Sequence, residues 1–340
     1  MGADPRFYES LGPVCASALA EQVGAQLVGD GTAQALNVSS LAKARVGDVC
    51  FLASEAGELG LAGAIVLVND TVAGEAALAA DAAAVLVHSA PKAAYALACG
   101  RLIAPRIHAG DAAHNHDARI APDARLSPGV VVGQGADIAP GAQVGPNTVI
   151  GPGVRIGAGT RIGAGAVIHF ADIGAGCEIA AGAVIGESGF GLAQLDKEIV
   201  SLPHVGRVII EDAVTLGANV TVDRGMFDDT WLKTGCRIDN LCHIGHNVVV
   251  GEMAVMAAFA GISGSVTVGA GAQFGGRVGV ADHLTIGDGA RLAADAAVMR
   301  SIPAGETWAG SPAQPIKSFM RETAWVRRQV GQRGSNKTKT

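Results

Sequence analysis

Large aromatic side chains are scarce here: only 4% of the 340 residues are Phe, Trp or Tyr, and only 16% are charged. That scarcity excludes a core built mainly from bulky rings. With 48 glycines, the composition points instead to a repetitive backbone with thin aliphatic layers. No CxxC pair occurs among the six cysteines, Cys15, Cys50, Cys99, Cys177, Cys236 and Cys242. Scattered thiols without a framework read as reduced cysteines of a cytoplasmic protein. A net charge of -6 disfavours nucleic-acid binding through a basic field. The run "LAGAIVLVND" is too short and broken to cross a bilayer, so no integral membrane segment is expected. The opening "MGADPRFYESLGPV" places an acid and two prolines where a signal peptide would be apolar.

What is present falls into three sections. Residues 1–107 mix a helical pattern, "CASALAEQVGAQL", with short apolar runs, "DVCFLA", "GAIVLVN" and "AAVLVH". A further helix is expected in "VAGEAALAADAA", making a small α/β domain. Residues 304–340 carry a rough apolar stripe, Ile316, Phe319, Met320, Thr323, Ala324 and Val326. That stripe predicts a helix from about Ala313 to Gln332, followed by a polar disordered tail.

Between them, over 108–303, one period rules. Ile120, Leu126, Val132, Ile138, Val144, Ile150, Ile156, Ile162 and Ile168 stand six apart. The register drops one residue at Ile173, breaks at "ESGFGLAQLDKEIVSLPHVGR", and breaks again at "DRGMFDDTW". From Leu232 it runs unbroken to Val298. A period of six drifts off any α-helical face. It matches a parallel β-helix of hexapeptide repeats, in which three units close one coil and residues eighteen apart stack about 4.8 Å apart.

Corners of such a helix need only small residues, so chemistry at a corner calls for explanation. The stretch "RIDNLCHIGHNVVVG", Arg237 to Gly251, holds an acid, two amides, a cysteine and two histidines. Counting eighteen from His246 reaches Gly264, whose backbone N–H would lie one coil above the imidazole with no side chain between. A base beside an accessible backbone donor suits acyl transfer. Asp239, one hexapeptide earlier, is expected to orient the ring, and Asn240 offers both donor and acceptor. No serine or cysteine is placed as a nucleophile, so direct attack by the substrate is expected. Among the other histidines, His88, His108, His114, His116 and His204 read as structural or exposed, and His169 belongs to the slip in register. A zinc site from His243, His246 and His283 is the competing metal reading; its spacing is not that of the known hexapeptide zinc enzymes, and no metal is assigned.

These residues resemble a known family, the UDP-3-O-(3-hydroxyacyl)glucosamine N-acyltransferases of lipid A biosynthesis. The likeness is carried by "FYESLGPVCASALAEQVGAQLVGDG", "GESGFG", "PHVGRVIIEDAVTLGANVTVDRGMFDDT", "IDNLCHIGHNVVVG" and "IPAGETWAGSPAQPIKSF". The resemblance implies a left-handed hand for the β-helix, a uridine-binding first domain, and a homotrimer with sites between subunits. It further implies transfer of an (R)-3-hydroxyacyl group from acyl carrier protein, through its phosphopantetheine arm, to the 2-amine of a UDP-3-O-acylglucosamine. No other cofactor is implied. In that reading His246 is the general base, Asp239 its orienting acid and Gly264 the oxyanion donor. Asn240, His283, Phe190 and Phe51 contact substrate, and Arg321, Arg327 and Arg328 meet the carrier protein.

The chain departs from the family pattern at "FLASEAGEL", where Ser54 and Gly57 replace the Asn and Tyr that help hold uracil. Leu192 and Phe259 also differ from the usual residues. Two alternatives therefore stay open: an acyltransferase for another nucleotide-linked amino sugar, and a non-catalytic trimeric scaffold that binds a nucleotide sugar.

Overall fold

In the computed structural model, which describes residues 2–52, 61, 63–70, 81–107 and 117–335, the six-residue period becomes a parallel β-helix. Each unit contributes a short strand with one residue out and one in: in Arg155–Ile156 the arginine is exposed and the isoleucine buried. A corner follows. Asn147, Asn219 and Asn247 hold corners in the left-handed region, with φ of 58°, 55° and 60°, where asparagine is among the few tolerant side chains. Strands eighteen apart pair in parallel, as Ile138 does with Ile156. Where the register drops, Ile156 pairs with Ile173, because that coil is one residue short.

Three faces result, of nine, eleven and nine strands among the described residues, parallel throughout except for the last strand of the second. Their inward residues, such as Ile138, Ile156, Ile210, Leu232 and Val250, are 2% exposed or less. Each such burial stabilises the coil by roughly 1.5–3 kcal/mol. Two excursions interrupt the stack. The first leaves the third face after Ser188 and forms an antiparallel hairpin, Leu192–Leu195 with Glu198–Ser201, before returning at Val208. The second is the loop from Gly225 to Asp229, which rejoins at Thr230–Leu232.

The first section is α/β. A five-stranded sheet runs in the order Gln26–Gly29, Ala84–Val87, Ile65–Val68, Asp48–Phe51 and Asn37–Val38. Its first pair is antiparallel and the rest are parallel. The helices Ala16–Val23 and Pro91–Leu102 accompany it. His88 accepts from the backbone N–H of Ala90 at 2.9 Å, just before the second helix. The helix expected in 72–83 falls mostly outside the described residues, as do Ser54, Gly57, His108, His114 and His116.

Half-buried ions fasten this section to the β-helix. Arg6 bridges Asp4 at 2.8 Å and Asp172 at 2.7 Å, while Arg207 bridges Asp172 at 3.0 Å and Asp229 at 2.8 Å. Nearby, Tyr8 donates its hydroxyl to the carbonyl of His204 at 2.7 Å.

Past residue 303 the second face takes up one more parallel strand, Thr307–Ala309. Gln314–Pro315 then pairs back on it in antiparallel fashion. That pairing occupies residues expected to be helical, so the terminal helix starts later and runs Ile316–Ser335. No helix among the described residues is long and apolar enough to cross a membrane.

Candidate active site

The third face stacks Thr221–Arg224, His243–Ile244 and Gly261–Ile262. On its outer side, Thr221 Oγ1 lies 2.8 Å from His243 Nδ1. After Ile244 the chain turns a corner at Gly245, His246 and Asn247, which leaves the His246 ring half-buried at the end of the face.

The tautomer of His246 follows from its neighbour. The Asn247 side-chain oxygen accepts from the Met226 backbone N–H at 2.9 Å, and its amide nitrogen donates to the Asp228 carbonyl at 2.9 Å. Two backbone groups of fixed polarity thus set the direction of the amide. The same oxygen sits 3.0 Å from His246 Nδ1. Nδ1 must therefore carry the proton, and the lone pair is at Nε2.

Nε2 points to the next coil. A Cβ on Gly264 would lie 2.5 Å from it, so only glycine fits there without moving the ring. At some corners the equivalent backbone N–H is capped by a side chain, as Asn240 caps Ala218 at 2.7 Å and Asp288 caps Ala270 at 2.8 Å; at others, such as Ala164 and Ala258, it has no acceptor among the described residues. Gly264 N–H has no acceptor among the described residues. A lone pair and an uncommitted donor thus share one wall of a cavity of about 660 Å³, lined also by Phe190, Asp223, His243 and His283.

Two carboxylates line the cavity, the exposed Asp282 and the more buried Asp223. Asp223 Oδ2 is 3.7 Å from His243 Nε2. Burial raises its pKa above the usual carboxylate value, while His243, His246 and Arg224 act in the opposite sense. Behind the His246 ring lies His204, 1% exposed, its ring centroid 4.9 Å from that of His246 and its plane inclined by 64°. Burial, and then the neighbouring His246, push the His204 pKa down to about 4.

The expected residues divide into those brought together and those kept apart. His246, Gly264, His283 and Phe190 share the cavity. The His283 side chain is 75% exposed, and its backbone N–H donates to the Gly264 carbonyl at 3.1 Å. Phe190 is 86% exposed on the loop that opens the first excursion. Asp239 lies apart within the chain: its carboxylate accepts from the backbone and side chain of Asn240, at 2.8 and 2.7 Å, one corner away from His246. One hexapeptide is one whole face of the coil, so the two side chains cannot meet within the chain. Asn247 orients the ring instead. Asn240 stays at Asp239's corner, outside the cavity lining.

Phe51 is also apart. It packs on Tyr95 and on Phe227 of the second excursion, with centroids 5.1 and 6.1 Å away. Arg321, Arg327 and Arg328 are exposed on the terminal helix. His169, at the register slip, leaves a buried Nδ1 without a partner. Among the described residues, no group of three or more His, Cys, Asp or Glu has the placement to hold a metal ion.

Coils of period six with an imidazole at a corner place the chain among the hexapeptide-repeat transferases. The family model "Bacterial transferase hexapeptide (six repeats)" matches residues 138–170. A UDP-3-O-acylglucosamine N-acyltransferase of Caulobacter sp. (strain K31) is 49% identical over 336 residues, covering 97% of this chain and 98% of its own. Another, from Maricaulis maris (strain MCS10), is 48% identical over 345 residues, with 99% and 98% covered. The solved UDP-N-acetylglucosamine acyltransferase from Campylobacter jejuni aligns over 58% of this chain and 73% of its own, at 21% identity and a TM-score of 0.48. The chain belongs to the UDP-3-O-acylglucosamine N-acyltransferase family.

Proposed function

We propose that this chain transfers an (R)-3-hydroxyacyl group from acyl carrier protein to the 2-amine of a UDP-3-O-acylglucosamine, a cytoplasmic step of lipid A synthesis. One observation carries the reading. The Nε2 of His246 and the N–H of Gly264, which has no acceptor among the described residues, line one cavity from adjacent coils. That pair is what an amine attacking a thioester needs.

The amine nitrogen attacks the thioester carbon as Nε2 takes its proton, and a C–N bond forms. Negative charge gathers on the former carbonyl oxygen, where Gly264 N–H stabilises it. The tetrahedral species collapses, the C–S bond breaks, and the His246 imidazolium returns its proton to the departing thiolate. Asn247 holds the ring and the Nδ1–H throughout. Asp223 and His243 present polar groups to the sugar side of the cavity, and Phe190 and His283 flank it.

The remaining contacts extend the same reading. Asp239 and Asn240 occupy a different corner, so in a homotrimer with sites between subunits they serve a neighbouring copy. Leu241, Met253, Val255 and Phe259, all 45% exposed or more, give the second face and its corners an apolar surface suited to such a trimer. Arg321, Arg327 and Arg328 offer positive charge to the acidic carrier protein and act on the association rate. Phe51, with Tyr95 and Phe227, forms the aromatic floor beside which the uridine end would bind.

The test is a transfer assay with 3-hydroxyacyl carrier protein and UDP-3-O-acylglucosamine. The His246→Ala protein should lose about 100-fold or more, as expected for a missing general base. Absence of transfer by folded wild type would send the substrate to another nucleotide-linked amino sugar. Equal rates in wild type and variant would remove His246 as the base.

A further inference from the structure

His204 lies in the first excursion, outside the repeat; its carbonyl and its Nδ1 are engaged, and its Nε2 is not. Its carbonyl accepts from Tyr8 at 2.7 Å and from Arg224 Nε at 2.8 Å. Its Nδ1 is 3.1 Å from the Leu202 carbonyl and 3.1 Å from Ser188 Oγ. A carbonyl only accepts, so Nδ1 carries the proton and Nε2 holds a bare lone pair. That Nε2 is buried and has no hydrogen-bond partner. Leaving a buried acceptor unsatisfied is unfavourable, so its persistence needs a reason.

The reason lies in what Nε2 faces. His204 Nε2 and the Cβ–Cδ2 edge of His246 converge above Gly189: a Cβ placed on Gly189 would lie 2.8 Å from the first and 2.7 Å from the second. Gly191 closes the other side, where a Cβ would lie 2.9 Å from His204 Cε1. Neither His204 nor Gly189 lines the cavity. What does change there is the charge of His246, which becomes an imidazolium in mid-reaction.

We propose that His204 is a positioning residue for His246, its neutral imidazole holding the base from behind and turning a lone pair toward the ring that gains the proton. The proposal rests on the reading of His246 as the general base. The negative end of the His204 dipole is fixed in place before the reaction, so it needs no reorganisation when the charge appears. His204 itself stays neutral while His246 cycles, because burial and the adjacent ring oppose a second charge. Other charged or titratable groups surround the pair. Asp223 and Arg224 lie on the neighbouring strand, Glu187 on the strand beyond, His243 on the base's own strand, and Asp282 and His283 on the next corner. Arg224 is committed to the carbonyls of His204 and Gly186, and Asp223 faces His243. On the side away from the cavity, His204 is the group that meets the base.

The experiment compares wild type with His204→Phe, His204→Leu and His204→Gln. Two readouts are used: the pH–rate profile of transfer, and an NMR titration of the His246 ring in histidine-labelled protein. Phe and Leu fill the space without an acceptor, while the Gln amide oxygen reaches the place of Nε2. In His204→Phe and His204→Leu, the acid limb and the His246 titration should both move to lower pH. The maximal rate should fall several-fold, well short of the ~100-fold for losing the base, with KM for both substrates within about twofold. His204→Gln should restore the wild-type limb. An unmoved titration in whichever of the Phe and Leu variants keeps the wild-type circular dichroism would overturn the proposal. Equal shifts in the Gln variant would overturn it too. If wild type fails to transfer the acyl group, the functional reading fails, while the NMR titration still decides the role of His204.

Discussion

A Cβ on Gly264 would sit 2.5 Å from His246 Nε2, closer than any side chain can approach without displacing the ring. The close approach of the His246 ring to the Gly264 backbone is therefore built into consecutive coils. Gly264→Ala is expected to swing the imidazole away while the inward stack, Ile244 on Ile262, is untouched. The rate should fall by about 100-fold, as for a displacement of about 1 Å at the reacting atoms, with the melting temperature little changed. A wild-type rate in that variant would show that the ring and the Gly264 N–H do not act together.

Asn247 separates tautomer from scaffold. Its oxygen receives both His246 Nδ1–H and the Met226 N–H, and its nitrogen holds the Asp228 carbonyl. Asn247→Asp keeps the acceptor but loses the Asp228 bond, whereas Asn247→Ala loses all three. The alanine variant should show the larger fall in kcat, more than about 10-fold, together with a lowered melting temperature. The aspartate variant should retain most of kcat and lose only stability. The reverse order would mean that the ring is held by packing and not by this hydrogen bond.

How much of this was legible depended on whether the repeat was intact. Period six is visible because every coil demands one inward aliphatic residue, and counting eighteen from His246 found Gly264 for the same reason. Asp239, one hexapeptide before that corner, is a full face away, so it does not meet His246 within the same chain. The count also fails across the second excursion: His243 pairs with Thr221, whereas eighteen residues back lies Gly225. Asp223 was hidden by that inserted loop. His204 sits in an excursion where no periodicity applies, and only tertiary packing brings it to the base. Asn247 carried a usable signal, being the next residue and an asparagine at a corner that requires positive φ.

The ion cluster under the first section makes a separate prediction. Arg6 holds Asp4 and Asp172, and its pKa is raised mainly by its hydrogen bond to Asp172. Burial works against ionisation of Asp4, yet its bonds to Arg6 and the charges of Arg6 and Arg207 bring its pKa below the usual value. Arg6→Ala leaves half-buried carboxylates with one guanidinium fewer and should cost about 1–3 kcal/mol. Because Tyr8–Ser10 pairs with Ile103–Pro105 just beyond, amide exchange of Tyr8–Ser10 should accelerate while that of the coils around Ile244 does not. Uniform acceleration would place the cluster's effect in the whole chain and not at this junction.

His204 also governs how the fold answers acid. Its folded pKa is near 4, against the ordinary histidine value of about 6.5 in an unfolded chain. Between those values the unfolded chain binds the extra proton and the folded one does not, so stability falls as pH falls. The contribution is complete above about pH 6.5 and is lost progressively down to about pH 4, amounting to about 3 kcal/mol at 1.36 kcal/mol per pH unit. His169, lowered by burial, acts in the same direction, and Asp4, lowered by Arg6, adds its loss as pH falls further. His204→Gln removes the largest of the histidine contributions without adding a charge. Its melting temperature should therefore decline less steeply than wild type from pH 6.5 to 4, keeping a residual slope from His169. Parallel curves for the two proteins would mean that His204 takes up its proton in the folded state, in contradiction to the buried, partnerless Nε2.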